Sequence, residues 1–496
     1  MRAVPLHSVF APETLAQGVK EASFPELRKK VLKLAPQFVR IFYNDDHAGT
    51  PFFDKTAKRS ELNRPQSPKQ KHRWNSFVDV VKLAHEAGAV INITWSGGHA
   101  GSPEQRATSM ERFANVLAFL VNDEKLTGVR WATVANEPNT IREKPDDPAH
   151  PPNITAKTIG EMYRELDAQL RKRSIRRKVF PMGGDLIEGE TKQDAPKDAL
   201  HRTSQFNQFT WFRFLTAHHR DVLDAYSVHI YWNFDEVPRI LERLTDVKKV
   251  AAKVKADAGL ASPLPIYVTE FGVRGKDIKK QKGVDPGNYR VAGSRPVPIH
   301  TTRIAAFQHA LFVIRALQLG YIGMSKWDCF FGRYDLIKPP ESPPKGNQQY
   351  VAIGPASLSH PPDWQLHPMY FLLRLITATT EREWNVLRVE PPAGPSTSRK
   401  QLVAFARGDN LTILGLNVDG ASLNTPSGRT VDYTIGRLPA RTPFQLLLWN
   451  EDGKTGALVR KPTPVTTDGS GTATVRAVPL HSVFALTTKA LPASLA

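Results

Sequence analysis

Cysteine is nearly absent: the 496 residues hold one, Cys329. A lone thiol excludes an intramolecular disulfide and any cysteine-built zinc cluster, so core packing alone must hold the chain together. Long apolar runs are missing too, which leaves no membrane-spanning helix to expect. The opening MRAVPLHSVFAPETL lacks the continuous apolar stretch of a secretory signal. No strand-to-helix turn carries a glycine-rich phosphate fingerprint, which argues against a nucleotide-binding open sheet. Acidic residues are in deficit, 48 against 67 lysines and arginines, giving a formal charge of +19 and an isoelectric point near 9.8. That field biases the surface toward polyanions without naming a function. The remaining composition, 41% hydrophobic and 23% charged, is that of a globular chain, which removes disorder, collagen and coiled coil as descriptions of the whole.

What is present starts with a repeat. RAVPLHSVFA at Arg2 to Ala11 recurs identically at Arg476 to Ala485. Diverged structural repeats recur imperfectly at periods of about 20–50 residues. An identical pair at opposite ends reads instead as a duplication or assembly scar, or as two segments with a paired structural role.

Short β-branched and aromatic runs, PQFVRIFYND, AVINITW, VRWATVANEP, VFPMGGD, AYSVHIYW, IYVTEFG and YIGMSKWDCF, alternate with amphipathic segments such as Phe24 to Leu34 and Thr158 to Leu170. The alternation predicts an α/β fold, a (β/α)8 TIM barrel over residues 1–380. Seven runs are legible and a barrel needs eight. Because Phe24 to Leu34 reads as a helix ahead of the first run, strand one is expected within residues 1–20. The only strand-like stretch there is the decamer, and without it two barrel edges stay open. After a last barrel helix at Leu366 to Thr379, short alternating runs separated by tight-turn pairs predict a C-terminal antiparallel β-sandwich over 381–496. The second decamer is expected to form one of its strands. The first is left to supply barrel strand one, to pair with the sandwich, or to be foreign. Trp384, Phe405, Tyr433, Phe444, Trp449 and Phe484 alternate as core residues do, which predicts packing rather than a glycan site.

Barrel active sites sit at the carboxyl ends of the strands. The fourth strand ends in Asn136, Glu137, Pro138 and Asn139, the seventh in Thr269, Glu270, Phe271 and Gly272. Two carboxylates projecting from nearly opposite strands into one mouth are what glycoside hydrolysis needs, one as acid for the leaving oxygen and one as nucleophile. On these residues the chain resembles the clan A glycoside hydrolases, most like family 5, with some similarity to family 39 in the NEPN tetrapeptide and the trailing sandwich. The resemblance covers about residues 24–380.

It implies a retaining β-glycosidase with Glu137 as acid/base and Glu270 as nucleophile, acting on a carbohydrate without cofactor or metal. Asn136 is implied to donate to the sugar 2-hydroxyl, and Arg40, in VRIF, to hold the nucleophile. His229 and Tyr231, in VHIYW, look like the family's substrate-binding histidine and the tyrosine that bonds the nucleophile. Trp327, in SKWDCF, looks like the platform under the sugar. Trp95 and His99 complete the set, His99 lying several residues past the expected strand end. Plainer readings stand beside these: Arg40 as a barrel salt bridge, Trp95 and Trp327 as core, His229 as a satisfied core histidine. Asn44, Asp45, Asp46 and His47 read as a loop lining the cleft rather than a metal site. Cys329 reads as a packed strand residue, since no base partner is evident.

Basic runs occur at Lys69 to Arg73, Arg171 to Lys178 and Lys276 to Lys282. They lack interleaved aromatics, so they are expected to be solvated faces, with no nucleic-acid partner. The third follows strand seven directly, which points to an acidic glycan such as a uronate-containing polymer. The resemblance implies action outside the cell, against the lack of a visible export signal; no oligomeric state follows. Rival readings are a non-catalytic carbohydrate-binding barrel and a polyanion-binding protein.

Overall fold

Eight strand-then-helix pairs build the first part of the chain. The computed structural model describes residues 6–10 (backbone only), 24–44, 68–96, 102–140, 155–187, 208–233, 238–274, 288–289, 297–298, 303–326, 337–338, 365–390, 400–417, 430–450 and 462–492. The strands are β1 (Leu6–Phe10), β2 (Phe38–Tyr43), β3 (Val90–Trp95), β4 (Val129–Thr133), β5 (Phe180–Ile187), β6 (Ala225–Asn233), β7 (Ile266–Arg274) and β8 (Gly323–Lys326). Each is followed by its helix: α1 (Phe24–Leu34), α2 (Pro68–Glu86), α3 (Pro103–Ala118), α4 (Ala156–Lys172), α5 (Gln208–His219), α6 (Pro238–Asp257), α7 (Arg303–Gln318) and α8 (Pro368–Thr379). Local chemistry starts the helices where they start. Ser102 and Gln105 form a reciprocal cap on α3, and the Thr155 hydroxyl accepts from Thr158 N on α4 at 3.1 Å.

The eight strands close a parallel barrel in the order β1-β8-β7-β6-β5-β4-β3-β2. The first decamer closes it: Leu6 pairs with Met324 on one side and His7 with Phe38 on the other, so neither neighbour keeps an open edge. Among the described residues, no helix is long and apolar enough to cross a membrane.

Beyond α8 the chain forms antiparallel β9 (Asn385–Leu387), β10 (Lys400–Arg407), β11 (Asn410–Asn417), β12 (Thr430–Ile435), β13 (Pro443–Asn450), β14 (Thr463–Thr466), β15 (Ala473–Pro479) and β16 (Ser482–Thr487). Six of them make one sheet, ordered β9-β10-β11-β16-β13-β14, and β12 pairs with β15 in a second. The second decamer is not a single strand. It spans the end of β15, a bend at Leu480 and His481, and the start of β16, with His481 at φ 55°. The same Leu-His pair that runs straight through β1 turns a corner here, where the chain leaves the small sheet, in which β15 pairs with β12, for the six-stranded one, in which β16 lies between β11 and β13.

Period-two alternation decides what the six-stranded sheet touches. Val403, Phe405, Leu414, Leu416, Leu447, Trp449, Val483 and Ala485 join the barrel's hydrophobic core, and the intervening Ala404, Ile413, Leu448, Phe484 and Leu486 pack on Tyr433, Val475 and Val478 of the small sheet. Trp449 meets Phe307 of α7 at 5.0 Å between ring centroids, and Phe484 meets Tyr433 edge-on at 5.0 Å. Gly415 makes room for the Phe484 ring, which a Cβ would meet at 2.1 Å. The sandwich aromatics are thus interior residues, as their alternation predicts.

The basic run Arg171 to Lys178 is largely exposed, as expected, and several of its charges are paired. Arg171 and Arg176 share Asp167, Arg176 also reaches Asp224 at 2.7 Å, Arg173 lies 3.6 Å from Glu111, and Lys178 bonds Asn122 at 2.8 Å. This network precedes β5, at the end of the barrel opposite the strand carboxyl termini.

Trp449→Ala is expected to lower unfolding free energy by about 3–5 kcal/mol in a urea titration. Leu387→Ala, at a side chain 41% exposed, is expected to change it little.

Candidate active site

A regular strand sends successive side chains to opposite faces, so one strand end delivers one residue to the barrel interior. Two irregularities break that limit here. On β7 the pairing slips by one residue against both neighbours: His229 pairs with Glu270 although Val228 pairs with Val268, and Lys326 pairs with Phe271 although Met324 pairs with Val268. The extra residue lets Thr269 and Glu270 both reach the interior groups described below. On β5 the slip falls between Gly184 and Leu186, and the residue between them is Asp185. Gly184 takes φ 100° and Asp185 φ 51°, a left-handed turn that a glycine eases and an aspartate tolerates. Glu137 is likewise left-handed at φ 47°, and its N–H donates to the Asp185 carbonyl at 3.2 Å. Two strained, mutually bonded residues at the mouth of a barrel are the kind of backbone that clusters at functional sites.

Arg40, fully buried on β2, organises the interior. Its Nε donates to Thr94 Oγ1 at 2.9 Å, Nη1 to Glu270 Oε1, and Nη2 to Asn136 Oδ1 at 2.8 Å and to Asp185 Oδ2. Since the guanidinium only donates, it fixes the Asn136 amide with its oxygen toward Arg40 and its NH2 turned elsewhere. Tyr231 OH donates to the other Glu270 oxygen at 2.8 Å. His229, also fully buried, places Nδ1 2.8 Å from Glu137 Oε1 and 3.5 Å from Glu270 Oε2, with Nε2 3.2 Å from Asp185 Oδ1. Thr269 Oγ1 donates to the same Asp185 oxygen, and the Asp185 N–H donates to Ser227 Oγ at 2.9 Å. Glu137 is the open member, its side chain 23% exposed against 7% for Glu270.

Burial alone would push the Asp185 carboxyl up. The charges of Arg40 and His229, with hydrogen bonds from His229 and Thr269, outweigh it and hold Asp185 well below the usual carboxylate range. Burial would likewise pull His229 down, but the charges of Glu270 and Asp185, with hydrogen bonds to Asp185 and Glu137, push it up to about 10. The ring is therefore held as an imidazolium, its Nδ1 bonded to Glu137 and its Nε2 beside the Asp185 charge without a well-formed hydrogen bond.

Glu137, His229 and Glu270 each bring one potential ligand atom within 4.8 Å of one another, a spacing that metal ligands also show. The Arg40 guanidinium on Glu270 and the imidazolium itself put fixed positive charge there, which disfavours a cation. The arrangement handles protons and stabilises charge.

Of the residues singled out in the sequence, Arg40, Asn136, Glu137, His229, Tyr231 and Glu270 come together in this one network. Trp95 does not present an open ring: it is 1% exposed and lies in the hydrophobic core, where its plainer reading placed it. His99, Trp327, Cys329, the cluster Asp45 to His47 and the run Lys276 to Lys282 fall outside the described residues. Asp185 is the member of this network that the sequence reading passed over. Its signal was the GGD at the end of the fifth run, two glycines ahead of a carboxylate at a barrel strand terminus.

The fold is shared with solved glycoside hydrolases. A GH30 endoxylanase from Clostridium papyrosolvens matches 99% of this chain and 97% of its own, with TM-score 0.59 and 11% identity. A family 51 α-L-arabinofuranosidase from Bifidobacterium longum matches 98% and 96%, with TM-score 0.58 and 12% identity. A conserved exported protein from Bacteroides fragilis matches 98% of both, with TM-score 0.63 and 11% identity. These descriptions name families 30 and 51 rather than family 5. No protein-family model matches the sequence, and no curated protein matches it.

Two outcomes follow from the buried charges. Arg40→Ala strands two buried carboxylates and is expected to cost about 3–5 kcal/mol in a denaturant titration. His229 has a raised folded pKa, so its stabilisation is complete below the unfolded histidine value of about 6.5 and fades as pH rises toward about 10. Urea midpoints measured across that window should fall with pH in the unaltered protein and flatten in His229→Gln.

Proposed function

We propose that this protein is a retaining β-glycoside hydrolase, with Glu137 as acid/base and Glu270 as nucleophile. The observation that carries the reading is their closeness: one oxygen of each carboxylate lies within 4.8 Å of one oxygen of the other. Retaining enzymes hold their carboxyl groups about 5–5.5 Å apart, whereas inverting enzymes leave about 6.5–9.5 Å for a water. The order of the two glutamates, one just after β4 and one on β7, and the fold shared with an endoxylanase and an arabinofuranosidase support the same class.

In this reading the sugar enters where Glu137 is open. Glu137 gives its proton to the glycosidic oxygen as the bond to the anomeric carbon breaks, and a Glu270 oxygen bonds that carbon from the other face. Arg40 and Tyr231, one on each Glu270 oxygen, hold the attacking carboxylate in place and leave it little rotational freedom. Glu137 then takes a proton from water, whose oxygen displaces Glu270 and returns the sugar with its original configuration. The Asn136 NH2, kept outward by Arg40, is the donor offered to the 2-hydroxyl. Substrate class is the finer part of the proposal. The run Lys276 to Lys282 directly after β7 and the overall +19 charge favour a negatively charged glycan.

Glu270→Gln should abolish turnover with an unchanged melting curve; an active variant ends the assignment. Glu137→Gln should slow an unactivated glycoside about 10²–10⁴-fold and an aryl glycoside with a good leaving group much less, because only the former needs the proton. Proton NMR of the fresh product should show retained configuration, and an inverted product refutes the mechanism. Uronate-containing polymers should be cleaved faster than neutral ones at low salt, with the advantage shrinking as salt rises.

A further inference from the structure

Among the described residues, ion pairs link five charged groups at the centre of this barrel: Arg40 from β2, Glu137 after β4, Asp185 from β5, His229 from β6 and Glu270 from β7. The two glutamates assigned above, the arginine on the nucleophile and the histidine that meets both glutamates account for four of them. The fifth is Asp185. It bonds Arg40 through one oxygen, while its other oxygen takes the Thr269 hydroxyl and lies 3.2 Å from His229 Nε2. The local backbone enforces this placement. A β-bulge, a left-handed conformation and a hydrogen bond from its own N–H to Ser227 turn the carboxylate inward, with no exposure to solvent. Burying a carboxylate this completely is costly unless its charge is used.

Counting charge shows the use. With Arg40 and His229 positive and Asp185, Glu270 and Glu137 all negative, the cluster carries one net negative charge, so one further proton brings it to neutrality. That proton is the one Glu137 must deliver. Without Asp185 the same cluster is already neutral before Glu137 is protonated, and the proton is held more weakly.

We propose that Asp185 is a positioning residue that sets the alkaline limit of the site: acting through His229 and Arg40, it supplies the negative charge that lets the His229–Glu137 pair retain its proton. The groups facing His229 are Glu137, Asp185 and Glu270, with Arg40 beyond the last two. The groups facing Asp185 are Arg40, His229 and Thr269, with the buried Tyr163 hydroxyl of α4 nearby. The kinetic part of this inference rests on the glycosidase reading; the charge coupling does not.

Asp185→Asn in the full chain keeps the shape and removes the charge. The basic limb of its kcat/KM profile is expected to move about one to three pH units lower, the range for loss of a neighbouring opposite charge. KM for a neutral aryl glycoside should stay nearly constant. A role in folding alone would instead lower kcat at every pH and leave the limb in place, which overturns the proposal. Histidine-selective 15N NMR, with His229→Gln assigning the signal, supplies a readout independent of turnover and of the variant's folding. In the unaltered protein His229 should remain an imidazolium at about pH 8, above the usual histidine value; a neutral ring at neutral pH overturns the proposal. If the His229 titration moves as stated in Asp185→Asn but no glycan is ever cleaved, the charge coupling stands and the glycosidase reading falls. If cleavage is observed and neither limb nor titration moves, the glycosidase reading stands and this inference falls.

Discussion

A guanidinium buried among carboxylates is the constraint on which the centre of this molecule depends. Arg40 has no access to water, so its hydrogen bonds must be met inside, and the partners arrive from four other strands or strand ends: Thr94, Asn136, Asp185 and Glu270. Each of those strands must stop at the right height for this to happen. The barrel closes around a charge that it must neutralise, and the same bonds hold the nucleophile candidate still. Replacing such a pair by apolar residues often stabilises a protein, so the cluster is more readily understood as preparation for chemistry than as a source of stability.

The backbone bends to serve that cluster. The slips on β5 and β7 each insert one residue into an otherwise regular ladder, and each delivers an extra side chain to the interior, Asp185 in one case and Thr269 beside Glu270 in the other. The two are bonded to each other through the Thr269 hydroxyl. Regular barrel geometry alone would have shown the mouth fewer polar groups.

Much of this architecture was legible beforehand, for physical reasons that also mark where legibility ends. Apolar periodicity marked α1 at its observed limits, Phe24–Leu34, because a helix packed on one side repeats its pattern every turn. The residues Glu137, Glu270, Arg40, His229 and Tyr231 could be picked out because strand ends face the mouth and their runs were recognisable. Asp185 escaped because a bulge has no periodicity: its inward aim comes from the φ of Gly184 and the Ser227 hydroxyl, neither visible as a pattern. Trp95 was read with the site because it ends a strand, but strand ends also have an outer face, and tertiary packing claimed it. The decamer at Arg476–Ala485 was expected as one strand and became two strands and a bend, since identical residues follow whatever partners the surrounding chain supplies.

The six-stranded sheet has both faces occupied, one by the helices α7 and α8 and the other by the small sheet of β12 and β15. It is an interior wall, shared by the two halves of the chain, rather than an accessory hung on a finished barrel. Cutting the chain after Thr379 would leave the outward sides of Phe307 and its neighbours wet, and the freed barrel would tend to stick to itself. Module shuffling in this protein therefore has to exchange the wall together with the helices that lean on it.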